Sequence, residues 1–403
     1  MQLCVSLSMI CGIGLRSVVK VINLINQEFH LGLEESPSYN SINNWKQKSG
    51  YFIYNNPEIA SKELDYGLII DESIQIGREK ALFTLGVSAN KVSGQALSMN
   101  DIEILDMSVS PSWNGELISK NLNATTDRLH ARAAYVVSDN ACIMNKGVRD
   151  SGLVHLHDVG HTLAMFLERQ YKHSEDFVSF TKALARVRGK EIMRPAAYLL
   201  PPKQRSIARF MNLTPCLRWA KKILNCYDRL TREEQQTFKF LKKHKPLINE
   251  LNQIIRVFNR ISEKLKKDGL SRKNADESIK ELQPLLTSPF PRVAKAAKEC
   301  LAYLGQEVGK LNNEDDVWHI SSDILESVFG IYKQGKSPDK LTGVTINVLT
   351  LPLLTKSDPE TGRIKIDFKQ ALESVFLRDI HKWKEDKLSD NLTVKRMNVL
   401  NAS

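Results

Sequence analysis

The chain has 403 residues, 42% hydrophobic and 26% charged; this is ordinary globular material, too long for one small core, so two or three domains are expected. Its 57 Lys and Arg against 46 Asp and Glu give a formal charge of +11, which favours a polyanionic partner. Six scattered cysteines without a Cys-x-x-Cys pair, and no apolar run near the roughly 20 residues of a membrane span, set aside zinc-finger, disulfide-scaffold and membrane-spanning classes.

In chain order, the first elements are helical. The opening MQLCVSLSMICGIG lacks the basic start and cleavage site of a secretory signal, so a soluble, intracellular chain with reduced cysteines is expected. After a break at Gly12 and Gly14, LRSVVKVINLINQEF sets Leu15, Val18, Val19, Ile22 and Ile25 on one face. A third helix starts after Pro37, capped by Ser38 or Ser41, with Ile42 and Trp45 pointing inward. Residues 1–56 therefore fit a helix-turn-helix module whose last helix would read DNA through Asn43, Asn44, Lys46 and Lys48; a plain three-helix bundle fits the same pattern.

Residues 63–173 change period. YGLIID, KALFTLGVSA and DIEILDMSVS read as strands, a helix runs from Gly115 to Leu122, and AAYVVSD and VHLHD supply two more strands around a further helix. That order, with the continuous apolar runs of central strands, is the order of an α/β RNase H-like core: a mixed sheet flanked by helices. From 174 to 317 strand signals vanish and an all-helical insertion is predicted, punctuated by Pro201-Pro202 and Pro289 to Pro291. The basic excess lies here, since residues 201–310 hold 24 Lys and Arg against 11 Asp and Glu, and the rest of the chain is close to neutral. Residues 318–403 complete the core with the helix SSDILESVFGIYK, a Gly/Pro/Ser loop at 335–343 and further helices.

Two apolar runs end in an acid, Asp71 and Asp139, on strands that would be neighbours in such a sheet, and Glu326 lies on the helix after the insertion. Three carboxylates suit two hard divalent cations, one activating the attacking oxygen and one stabilising the leaving oxygen of a phosphodiester. Asp323 competes as third acid but reads as helix-start capping chemistry. Asp158 could orient His161 to steer the leaving 3′ oxygen or contact DNA, or the two could be a strand-end Asp and a helix-cap His that hold the core together. Lys333 lies seven residues past Glu326, about two helical turns, so both can share a side.

The strings IIDESIQIGREKALFTLGV, VVSDNACIMNKGVRDSGLVHLHDVGHTLAMFLERQY and SSDILESVFGIYK resemble a DDE transposase of the prokaryotic insertion-sequence type, over roughly 66–172 and 318–335. The resemblance implies an RNase H-like catalytic domain interrupted before its last acid, using Mg²⁺, or Mn²⁺ as substitute, as two ions on Asp71, Asp139 and Glu326. It implies cleavage and strand transfer at the ends of a mobile element, double-stranded DNA as partner, a homodimer or larger synaptic assembly, and a cytoplasmic, nucleoid-associated protein. Asp158 and His161 fall where several such families carry an Asp-x-x-His or Cys-x-x-His pair. Lys333 falls where several carry a phosphate-contacting lysine. The basic insertion, with Lys242, Lys243 and Lys245 foremost, would hold the DNA backbone. A transposase-derived DNA-binding protein that does not cut, and an RNase H-like nuclease without strand transfer, share these features.

Overall fold

The computed structural model describes residues 1–59, 65–72, 79–90, 94–203, 210–335, 343–358, 360–389 and 392–401. Most of the predicted loop at 335–343 lies outside them, as does the connection between the first two strands. Two compact units form: one joins Met1–Lys91, Ala96–Leu156 and Ser321–Ser403, and the other is built on His157–Ile320.

The first unit opens with α1 (Gln2–Met9), α2 (Leu15–Phe29) and α3 (Tyr39–Asn55). Ser38 caps α3 by accepting the Ser41 N–H at 3.1 Å, and Ile42 is fully buried against Val18 and Ile22 of α2, as the sequence predicts. A five-stranded sheet follows in the order β3-β2-β1-β4-β5, from β1 (Tyr66–Glu72), β2 (Lys80–Ser88), β3 (Ile102–Ser110), β4 (Tyr135–Ser138) and β5 (His155–His157). β1 to β3 form an antiparallel meander, and β4 runs parallel to β1. Between these strands lie α4 (Gly115–Leu129), about two turns longer than predicted, and α5 (Cys142–Ser151), which stops at Gly152 in left-handed backbone (φ +71°). Ile118 and Leu122 of α4 and Met144 and Val148 of α5 pack on Leu68, Ile70 and Val136, so these helices cover one face of the sheet.

Among the described residues the second unit is built from α6 (Val159–Tyr171), α7 (Glu175–Glu191), α8 (Leu213–Cys226), α9 (Arg232–Phe238), α10 (Phe240–Lys243), α11 (Lys245–Asp268), α12 (Arg272–Leu286) and α13 (Pro291–Val308), with an isolated bridge between Leu270 and Trp318. It starts at His157, not at 174, because α6 buries Leu163, Phe166 and Leu167 and packs with α11 and α13. Its longest helix, α11, buries Leu247, Leu251, Ile254, Phe258, Ile261 and Leu265 at helical spacing. Arg292 of α13 grips Asp176 of α7 through two hydrogen bonds (3.0 and 2.8 Å) and Glu250 of α11 through two more (2.8 and 2.7 Å). The chain then returns to the first unit as α14 (Asp323–Gln334), a 3₁₀ run (Ile346–Lys356), α15 (Phe368–Ser374), α16 (Leu377–Lys387) and α17 (Leu392–Asn401). No helix among the described residues is long and apolar enough to cross a membrane.

Candidate active site

The β1 and β4 runs are buried on both faces: Leu68, Ile69, Ile70, Tyr135, Val136 and Val137 have no exposed surface. Their parallel register pairs Gly67 with Tyr135, Leu68 with Val136 and Ile69 with Val137. The pairing ends there; the same offset carried two residues further, past the end of β4, would bring Asp71 level with Asp139. The face is fixed independently, because the Tyr135 ring lies where a Cβ on Gly67 would be (2.2 Å from the ring's Cζ). Partner residues therefore point the same way, and alternation puts Asp71 with Gly67 and Ile69, opposite the face covered by α4 and α5.

Across β2, Asp71 is paired with Phe83. The Phe83 ring lies 4.9 Å from the ring of Phe329 in α14, which docks that helix on the Asp71 face. Glu326 sits one turn before Phe329, and Lys333 one turn after, with its Nζ 5.9 Å from the Phe329 ring. Burial lowers the Lys333 pKa, and the charges of Asp71 and Glu326 act against that shift, so the ammonium stands in the field of both acids. Asp71, Glu326 and Lys333 thus form one electrostatic neighbourhood.

Asp139, just past β4, accepts the Ala141 N–H on Oδ1 at 3.0 Å, which starts α5 and leaves Oδ2 outside this turn. Beside it, the Ser138 hydroxyl lies 2.8 Å from Nε2 of His155 on β5. This contact escapes sequence reading because the residues stand 17 apart and meet only through strand order. Asp323 and Glu326 share the first turn of α14, where negative charge is favoured, and the Asp323 N–H bonds the Ser321 hydroxyl at 3.3 Å. Among the described residues, no group of three or more His, Cys, Asp or Glu side chains is placed to hold a metal ion.

No protein-family model matches this chain, and no curated protein matches it.

The remaining candidates divide. Asp158 and His161 belong to the helical unit, where fully buried Asp158 caps α6 by accepting the His161 backbone N–H at 2.6 Å. His157 pairs with buried Glu307 at 2.9 Å, which also takes Lys310 at 2.7 Å. On α3, the amines predicted to face DNA turn inward: Lys46 donates to the Ser8 hydroxyl at 2.9 Å, with burial lowering its pKa, and Lys48 donates to the Leu372 carbonyl at 3.1 Å. The helix packs against α1, α2, α15, α16 and the 3₁₀ run, so several of its faces are engaged; Asn43 and Asn44 stay half-exposed. Lys242, Lys243 and Lys245 are all exposed, Lys242 standing 3.8 Å over the Tyr227 ring.

Proposed function

We propose that the protein is a metal-dependent DNA strand-cleaving and strand-transfer enzyme, a transposase of the DDE type acting at the ends of a mobile element. The observation that carries this reading is the placement of Asp71 and the α14 turn bearing Glu326 and Lys333 on one face of the sheet, with Lys333 in the field of both acids; the β1–β4 offset, extended past the strand end, would add Asp139. The sheet order β3-β2-β1-β4-β5, with β1 and β4 parallel and a helical unit inserted before the last acid, is compatible with an RNase H-like core.

The donor set is carboxylate oxygen throughout, the ligand chemistry of Mg²⁺ and Mn²⁺. Asp71 and Asp139 would hold the ions from the sheet. Glu326, exposed on the first turn of α14, would close on them from the helix. Two such ions supply an activated attacking oxygen and a stabilised leaving oxygen. Lys333 would hold the non-bridging oxygens of the scissile phosphate, whose negative charge would favour its ammonium form. Asp139 would have a double duty: one oxygen orders the turn into α5, and the other would be the one offered to a cation.

The test is Mg²⁺-dependent cleavage of DNA carrying the element's own ends by the full chain, compared with Asp139→Asn. Asn keeps an oxygen for the Ala141 N–H, so the turn should survive while cation binding is lost. Cleavage should fall to background with end-DNA binding nearly unchanged. Full cleavage by the purified variant would refute the catalytic assignment.

A further inference from the structure

Within the helical unit, α8, α11 and α12 enclose an open groove of about 810 Å³. Asn249, Gln253, Arg256 and Arg260 recur every three or four residues along α11, a polar stripe roughly 16 Å long at 1.5 Å per residue. Lys221 enters from α8 and Lys280 from α12. The groove's two acids each have a cation of their own: Glu281 pairs with Arg260 at 2.6 Å and Glu277 pairs with Lys264. Lys221, Arg256 and Lys280 form no ion pair among the described residues, and all three are exposed. Gln253 accepts the Ser288 hydroxyl on its oxygen at 3.1 Å, which turns its amide N–H₂ group to donation.

We infer that this groove is a binding site for the sugar–phosphate backbone of DNA, with Lys221, Arg256 and Lys280 each neutralising a phosphate and Gln253 donating a hydrogen bond. Three cations drawn from three helices into one concavity, with the local acids already paired, offer positive charge and donors along a line. A phosphodiester chain presents the complement, negative charges repeated along a line. A stripe of this length spans several phosphates at about 3.4 Å of axial rise per strand. Contacts of this kind position the backbone and carry no base specificity. The inference rests on the proposed function only in taking the polyanion to be DNA; the groove itself involves none of the three acids.

The test uses the full chain in EDTA, so that binding is read without cleavage, and a fluorescein-labelled duplex of random sequence. Anisotropy gives affinity across a salt series for wild type, for Lys221→Gln/Arg256→Gln/Lys280→Gln, and for a control with equal charge loss, Lys239→Gln/Lys295→Gln/Lys298→Gln, at exposed positions outside the groove. Each phosphate contact contributes about 0.9 to the slope of log affinity against log salt, so the groove variant should lose about 2 to 3 and the control well under 1. Arg256→Lys alone should keep the wild-type slope, and matching thermal unfolding midpoints exclude misfolding. Equal slope losses in both triple variants, or no loss in the groove variant, would each overturn the inference. Mg²⁺-dependent cleavage of end DNA is measured alongside. A groove variant with an unchanged slope beside an active wild type defeats the groove alone, whereas an inactive wild type with the expected slope loss defeats the catalytic reading alone.

Discussion

Phe329→Ala probes the link between packing and chemistry, because this side chain seats the α14 turn on the Asp71 side of the sheet through its ring pair with Phe83. Phe329 is 5% exposed and its partner Phe83 1%, with centroids 4.9 Å apart and planes inclined by 53°. A buried Phe covers about 150–250 Å², worth about 4 to 6 kcal/mol at 25 cal/mol per Å². Alanine keeps part of that, so the truncation should cost about 3 to 5 kcal/mol, in line with measured Phe→Ala losses in cores. Phe329→Leu fills most of the space and should cost only about 1 to 1.5 kcal/mol, chiefly the ring-to-ring interaction. The two compact units need not unfold together, so urea unfolding should be paired with hydrogen exchange of the α14 and β1 amides, which reports locally. The Ala variant should lose protection in α14 first, and Mg²⁺-dependent cleavage should fall in the Leu variant too, since Glu326 and Lys333 flank the altered side chain. A stability loss below about 1 kcal/mol in Phe329→Ala, with α14 protection unchanged, would refute the docking argument.

Two further outcomes test the scaffold. Arg292→Met leaves Glu250, which is 5% exposed, with a buried charge and no guanidinium, and should destabilise the helical unit by about 3 to 5 kcal/mol in urea unfolding. The same guanidinium holds the Asp176 pKa down to about 2, so its stabilisation is fully present above the ordinary carboxylate range and is lost as pH falls through about 2; Arg292→Met should flatten stability against pH between about 4 and 2. Gly50→Ala sets helix propensity against contact: propensity favours Ala by about 1 kcal/mol, yet its Cβ would lie 1.7 Å from the Leu349 carbonyl oxygen, a backbone atom that cannot swing away. A lowered midpoint of thermal unfolding is expected, and a raised one would show that α3 and the 3₁₀ run do not meet.

What the sequence determined by itself is what depends on local periodicity and local hydrogen bonding. The apolar runs at 67–70 and 135–137 suit strands covered on both faces, and they become β1 and β4 with an acid just past the buried run. Ser38 and Ile42 announced α3 because a cap and an inward face are properties of a single helix. Glu326 and Lys333 were readable as a pair on one side of α14 for the same reason.

Only the tertiary structure decided which faces met. Lys46 and Lys48 look like a DNA-reading edge until α1 and α15 pack beside α3 and take their amines. The α6 segment follows the core in sequence but buries its apolar side within the helical unit, which moves the boundary to His157. The basic excess of 201–310 was visible as composition, whereas the convergence of Lys221, Arg256 and Lys280 depends on how three helices pack. The physical reason is range: caps and periodicity act over a few residues through the backbone, while the partner of an apolar face or a buried amine is set by packing between segments tens to hundreds of residues apart.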